Sequence, residues 1–390
     1  MLKAVFHRLR KFYRSSRLVK QFLKKEVELH GWRLTPERLK YLLKGFHSDK
    51  KYLYEHGEKN LPLPEYISDF ERLRTKFING LYKEALDNKI LFSQVFHDLF
   101  RCPVNFGYQE ADGLFTPIDP DLVHLRGKSL EEVIDYLPGR FVMKRIGWGG
   151  GKDIYIVDNE NGQLSINGDE AGYQELHECI DGRKFLMMEY ITQGEYANSL
   201  YPGSVNTVRV VTAFDESGPW VAFAIQRIGR QESAPTDNFN QGGICSQVDL
   251  ETGVIGEALY YMGDSKPKAF VNHPDTGEKI SGKKVPHWED IKLSLCSAVG
   301  QLPEFKYVGW DVIVHDDGFM VLEGNSYPGV QVLQLHEPML RNKRLAQLLA
   351  NHGVFSRKRV QQLGLKWVMP TTDDDSALAN EGEFSEEEKA

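Results

Sequence analysis

The 390-residue chain has only four cysteines, Cys102, Cys179, Cys245 and Cys296. They are far apart and form no CxxC pair, which excludes a zinc ribbon or a disulfide scaffold and points to a reducing, cytoplasmic setting. No apolar run approaches the roughly 18–20 residues of a transmembrane helix. The N-terminus is basic but has no apolar core followed by a small-residue cleavage site, so it does not read as a secretory signal. Neither a Walker A motif nor a GxGxxG fingerprint is present, which removes the P-loop and Rossmann nucleotide folds. Internal repeats are also missing. The overall charge is modest at -7 and nothing marks a nucleic-acid partner.

Charge is nevertheless unevenly distributed. Residues 1–25 hold nine Lys or Arg and no acid, whereas residues 371–390 hold eight Asp or Glu and one Lys. That acidic tail is too poor in apolar residues to bury a core. Hydrophobic residues are 41% and charged residues 26% of the chain, ordinary for a globular protein of two or three folded units.

Residues 1–30 read as one basic amphipathic helix with Val5, Leu9, Phe12, Val19 and Leu23 near one face. Its cations allow peripheral contact with an anionic membrane at the inner face. Thr35-Pro36-Glu37 opens a second helix, with an N-cap, a first-turn proline and an acid. Helical segments continue to about residue 100, interrupted near Leu61–Pro64. Strand patterns begin at Arg140–Lys144 and recur at 153–157, 184–190, 207–214, 220–227, 244–249, 307–314 and 319–324, with helices at 287–302 and 337–352.

Two stretches carry chemistry. In Gly309-Trp310-Asp311…Asp316-Asp317-Gly318-Phe319…Glu323-Gly324-Asn325, a three-residue hairpin loop pairs His315 with Phe319 and hence Asp311 with Glu323. Asn325 falls two residues further along the same face, so three oxygen donors suited to Mg²⁺ gather at one hairpin end. Lys144 ends a strand and is followed by Gly147-Trp148-Gly149-Gly150-Gly151, a loop whose amides could approach phosphate oxygens. Arg209 stands among β-branched residues and needs an anionic partner. Arg227 ends the next strand, and the polar loop Asp237–Gly243 follows.

Taken in order, these pieces resemble the ATP-grasp superfamily, and within it the sugar-transfer-associated ATP-grasp family, related to glutamate ligases and glutathione synthetases. The resemblance spans about residues 86–350 through Asn88-Lys89, Lys144 and its glycine loop, Glu189, Asn206-Thr207-Val208-Arg209, Asp237-Asn238-Phe239 with Gly242-Gly243, Gly309-Trp310-Asp311 and Glu323-Gly324-Asn325. It implies an α+β fold with ATP between two antiparallel sheets. It also implies phosphate contacts from Lys89, Lys144, Gly149, Gly150 and Gly151. Glu189, Tyr190 and Ile191 would line the adenine, with Glu189 or Glu195 near the ribose. Mg²⁺ would sit on Asp311, Glu323 and Asn325, and Arg209, Arg227 and Asn238 would face the reacting phosphate.

The chain departs from the pattern twice: its N-terminal part is helical rather than Rossmann-like, and Gln241 stands where glutamate-ligase relatives often carry arginine. The expected organisation is a basic helical region at 1–85, two ATP-grasp halves at 86–192 and 193–369, and an acidic disordered tail at 370–390. The expected activity is a carboxylate–amine ligase on a small-molecule or saccharide substrate, in polysaccharide biosynthesis. A kinase acting on a sugar or cyclitol hydroxyl is one alternative, and a membrane-surface nucleotide-binding scaffold without turnover is another.

Overall fold

The computed structural model describes residues 2–54, 63–146, 153–160, 162–180, 182–261 and 265–368. The glycine loop, with Gly149, Gly150 and Gly151, and the acidic tail lie outside the described residues.

Two seven-stranded antiparallel sheets organise these residues. The first contains β1 (Asn105–Gln109), β2 (Phe115–Pro117), β3 (Arg140–Arg145), β4 (Ile154–Glu160), β5 (Gln163–Ile166), β6 (Asp169–Ala171) and β7 (Phe185–Glu189), in the order β2-β1-β7-β3-β4-β5-β6. The second contains β8 (Val208–Asp215), β9 (Gly218–Ile228), β10 (Ile244–Val248), β11 (Ile255–Tyr260), β12 (Lys268–Phe270), β13 (Tyr307–Val314) and β14 (Phe319–Asn325), in the order β12-β11-β10-β9-β8-β13-β14.

Alternation of side chains places the site. On β13, Val308, Trp310 and Val312 face one core with Leu295 and Trp288 of the helix Trp288–Gln301. The odd-numbered residues Tyr307, Gly309 and Asp311 point to the opposite face. That face carries a core at one end, where Val211, Ile225 and Tyr307 pack with Tyr41, Phe46, Ile67, Leu345 and Val360. At its other end it carries Arg209, Arg227 and Asp311. Trp310 anchors the strand: its Nε1 donates to Thr212 Oγ1 at 2.8 Å, and Phe92, Phe96 and Phe100 pack around its ring at centroid distances of 6.3, 5.3 and 5.6 Å.

The N-terminal helical residues are built onto sheet two rather than tethered beside it. Asn79 Nδ2 donates to Tyr307 O (2.7 Å), and Gln334 Oε1 accepts from Ile67 N (3.0 Å) while its Nε2 donates to Ile67 O (2.9 Å). Arg359 reaches Glu71 at 2.9 Å.

The long first helix runs Leu2–His30, and Thr35 caps the next by accepting from Arg38 N at 3.2 Å. Its packed stripe differs from expectation. Leu18 and Phe22 are buried, Val19 and Leu23 are exposed, and the side chains of Val5, Leu9 and Phe12 lie outside those described. The hairpin register also differs in detail. Val314, not His315, pairs with Phe319, and a bulge between Asp311 and Val312 then restores the Asp311–Glu323 pairing. The bulge absorbs one residue of β14, and so keeps both carboxylates on one face.

Candidate active site

Lys144 leaves the end of β3 and crosses to sheet two, where its Nζ meets Glu323 Oε2 at 2.9 Å. Lys89 opens the helix Lys89–Phe96, capped by Asn88, whose side chain accepts from Ile90 N (3.0 Å) and Leu91 N (3.2 Å). Asp87 ties this helix start to the hairpin end by accepting from Ser326 N (3.0 Å) and Ser326 Oγ (2.7 Å). Burial and the neighbouring Lys144 ammonium push Lys89 below the ordinary lysine range. Burial alone would raise Glu323, but Lys144 and Lys89 outweigh it and hold the carboxyl well below the usual carboxylate range. A small cleft opens beside these groups, lined by Lys89, Lys144, Asn105, Ser93, Phe92, Leu186, Met188 and Leu322 among others. It therefore has a cationic end and an apolar body.

Next to it lies a buried ion network. Asp311, 3% exposed, accepts from Arg209 Nε and Nη2 (the latter at 2.8 Å) and from Arg227 Nη1 at 2.9 Å. Arg227 also donates to Asp237, whose Oδ2 accepts from Thr207 N (2.8 Å) and Thr207 Oγ1 (2.6 Å). Burial would lower Arg227, but Asp237 and Asp311 outweigh it and push the guanidinium up. Burial raises the Asp237 carboxyl against the pull of Arg227. Arg209 thus finds the anionic partner its setting demands, and that partner is Asp311 itself. Four cations, Lys89, Lys144, Arg209 and Arg227, face three carboxylates, Asp237, Asp311 and Glu323. With Asp87, which acts on Lys89, the charges of the cluster balance.

The donor set fits a hard dication. Asp311 and Glu323 are direct cross-strand neighbours, and Asn325, opposite Gly309, donates its Nδ2 to Gly309 O at 3.4 Å, so Oδ1 remains for a cation. Among the described residues no group of three His, Cys, Asp or Glu side chains is assembled for a metal, so the set is two carboxylates and one amide. Both carboxylates are held by protein cations here, and a metal would have to compete with or displace those contacts.

The other expected residues have these surroundings. Asn238 Oδ1 accepts from Asn240 N at 3.0 Å and caps the short turn Phe239–Gln241. Glu189 Oε2 accepts from Val104 N at 3.1 Å, binding β7 to the chain before β1. The Tyr190 ring lies under the Arg140 guanidinium at 4.2 Å, and Ile191 is buried with Ile313 and Met320. Glu195 is exposed, and its backbone N donates to Asp316 Oδ1 at 2.7 Å. Sequence reasoning missed Asp87 and the clamping role of Asp237. Asp87 adjoins the Asn88-Lys89 pair, but nothing in the sequence links it to Ser326.

No curated protein sequence matches the chain. Solved structures similar to it include the biotin carboxylase domain of 2-oxoglutarate carboxylase from Hydrogenobacter thermophilus, in complex with MgADP, ADP and bicarbonate. That likeness has 12% identity over 73% of this chain and 51% of that one, with a TM-score of 0.39. The biotin carboxylase of Campylobacter jejuni shares 12% identity over 80% and 54% of the two chains, with a TM-score of 0.39. D-alanine–D-alanine ligase from Helicobacter pylori shares 12% identity over 67% and 57%, with a TM-score of 0.36. The chain thus spans little more than half the length of these three structures. The model of the sugar-transfer-associated ATP-grasp family matches residues 71–348, which is most of the chain and includes both sheets, the two lysines and the Asp311–Asn325 hairpin, and the chain belongs to that family.

Proposed function

We propose that this protein binds Mg-ATP between its two sheets and uses it to join a carboxylate to an amine through an acyl phosphate. The observation that carries this reading is the convergence of Lys144 from sheet one and Lys89 from the adjoining helix on Glu323 of sheet two, beside the Arg209–Asp311–Arg227 network.

In this reading Leu186, Met188 and Leu322 supply the apolar walls for the base, and the lysines neutralise phosphate charge. Asp311, Glu323 and Asn325 would hold Mg²⁺, which when bound supplies positive charge against the phosphate oxygens. Arg209 and Arg227 are oriented by Asp311 and border the place where the transferred phosphoryl group must lie. The substrate carboxylate attacks the terminal phosphorus and ADP leaves. The amine then attacks the acyl carbon, phosphate leaves and the nitrogen gives up a proton. The family description, sugar-transfer associated, supports a saccharide-linked substrate; an amino-acid substrate and a place in polysaccharide biosynthesis are part of the same proposal.

A sugar or cyclitol kinase would need a general base near the alcohol. The carboxylate nearest to that role, Asp237, is 5% exposed and has its oxygens committed to Arg227 and Thr207, so the ligase reading ranks first. The deciding experiment supplies ATP, Mg²⁺ and a panel of sugar and amino acids with hydroxylamine as nucleophile. Formation of a hydroxamate with ADP supports the ligase. A stable phosphate ester that hydroxylamine leaves intact overturns it.

A further inference from the structure

The first 44 residues contain thirteen Lys or Arg and three acids. Within them the chain turns between the helices Leu2–His30 and Pro36–Leu42. That turn is wound around one guanidinium. Arg38 donates to His30 O (3.2 Å), Gly31 O (3.1 Å) and Arg33 O, and to Glu26 Oε1 at 3.0 Å. With its carbonyls drawn inward, the turn throws Trp32 outward at 88% exposure.

The second helix is fixed on the body by Tyr41, 2% exposed, and the following Phe46, also 2%. Its outer side therefore presents Leu39 (41%) and Leu43 (79%), one turn apart, with Leu34 (58%) just before the helix. Arg33, Lys40 and Lys44 are exposed among them. Large apolar side chains set this openly in a rigid, hydrogen-bonded turn mark a surface with a partner.

We propose that the tip formed by Trp32, Leu34, Leu39 and Leu43 enters the surface of an anionic lipid bilayer, with Arg33, Lys40 and Lys44 meeting lipid phosphates. Three observations select this occupant. The charge excess is complementary to an anionic surface and repels a second copy of the same face. Tryptophan beside aliphatic and basic residues is the composition of a membrane interface. The nearby acid Glu28 is already paired with Lys24 and Lys25 at 3.9 and 3.5 Å. Among the described residues no helix is long and apolar enough to cross a membrane, so the contact is superficial. On the first helix Leu18 and Phe22 belong to the body, with the Phe22 ring stacked on His47 at 4.5 Å, whereas Val19 and Leu23 of the expected face are exposed.

The test is co-sedimentation of the full chain with vesicles of phosphatidylcholine alone or mixed 7:3 (roughly physiological anionic content) with phosphatidylglycerol. Binding to the mixed vesicles only, weakened by salt, is expected. Trp32→Ala with Leu43→Ala should weaken it at least about tenfold, and Arg33→Glu, Lys40→Glu and Lys44→Glu together should abolish it. Thermal unfolding of each variant checks that the fold survives, as exposed positions should allow. Equal sedimentation with both vesicle types, or anionic binding untouched by the tip variants, overturns the proposal. So does a change of the tip variants from dimer to monomer in light scattering while vesicle binding stays constant, because the face would then belong to a second copy.

Discussion

The two sheets bring opposite electrostatic habits to the cleft. Sheet two holds a closed network, Arg209–Asp311–Arg227–Asp237, in which every charge is answered within the sheet or the loop beside it. Among the described residues sheet one contributes a single cation, Lys144, whose partner Glu323 lies across the cleft. The sheet-two network is part of the fold, because removing one member leaves buried charges unpaired. The cross-cleft pair joins the two sheets at the edge of the cleft. A ligand that inserts there exchanges one set of charge contacts for another without dismantling the core. The same asymmetry runs through the packing: the N-terminal helices are bound into sheet two, whereas sheet one has its own core around Phe141, Met143, Phe185 and Met187.

Breaking the closed network should have the largest effect. Asp311→Asn leaves Arg209 and Arg227 buried with half their counter-charge, and should cost about 3–5 kcal/mol in denaturant unfolding as well as turnover. Two opposed carboxylates on a hairpin, taken by themselves, suggest relief of repulsion on such a change. The arginines and Lys144 reverse that sign. Wild-type stability in the variant would mean the network is not the buried unit described. Lys144→Met, by contrast, removes one of the two lysines that answer Glu323 and leaves Lys89 in place, so it should cost less than Asp311→Asn in the same unfolding measurement.

A second contrast is in pH. His336, whose Nε2 contacts Cys245 O of β10 at 3.0 Å, is lowered by burial from 6.5 to about 4. The unfolded chain therefore binds a proton that the native protein refuses between those values. Stability should fall as pH drops from 6.5 toward 4, by at most about 3 kcal/mol. Unfolding midpoints of His336→Asn should lose part of that slope, and an unchanged slope would place the titration elsewhere. Glu323 adds a loss only lower, below its ordinary value of 4.5, because its native carboxyl is depressed.

The smallest effect separates capping from catalysis on the loop beside Arg227. Asn238→Ala should cost about 1 kcal/mol, as a lost N-cap does, and leave nucleotide affinity unchanged. A tenfold fall in ATP affinity with unaltered stability would return Asn238 to the phosphate.

What the sequence made legible follows from range. Alternation and a short loop placed Asp311 opposite Glu323, although the bulge that secures this pairing was not readable. The need of Arg209 for an anion was readable from its apolar neighbours, but not the identity of that anion, because Asp311 is 102 residues away. The capping of Phe239–Gln241 by Asn238 was not readable, because Asx capping and phosphate contact use the same residue type in the same kind of loop. The docking of the N-terminal helices on sheet two rests on contacts such as Asn79–Tyr307 and Ile67–Gln334, 228 and 267 residues apart, which no local pattern encodes.

A nucleotide between the sheets would rest its phosphates on the cross-cleft lysines. Calorimetric titration of Mg-ADP into wild type and Lys144→Met, with unfolding curves to verify both folds, tests it most directly. The expected affinity loss is about 1.5–3 kcal/mol, the scale of a charge-assisted hydrogen bond, with both proteins folded at the working temperature. Equal affinity in the two proteins would contradict it.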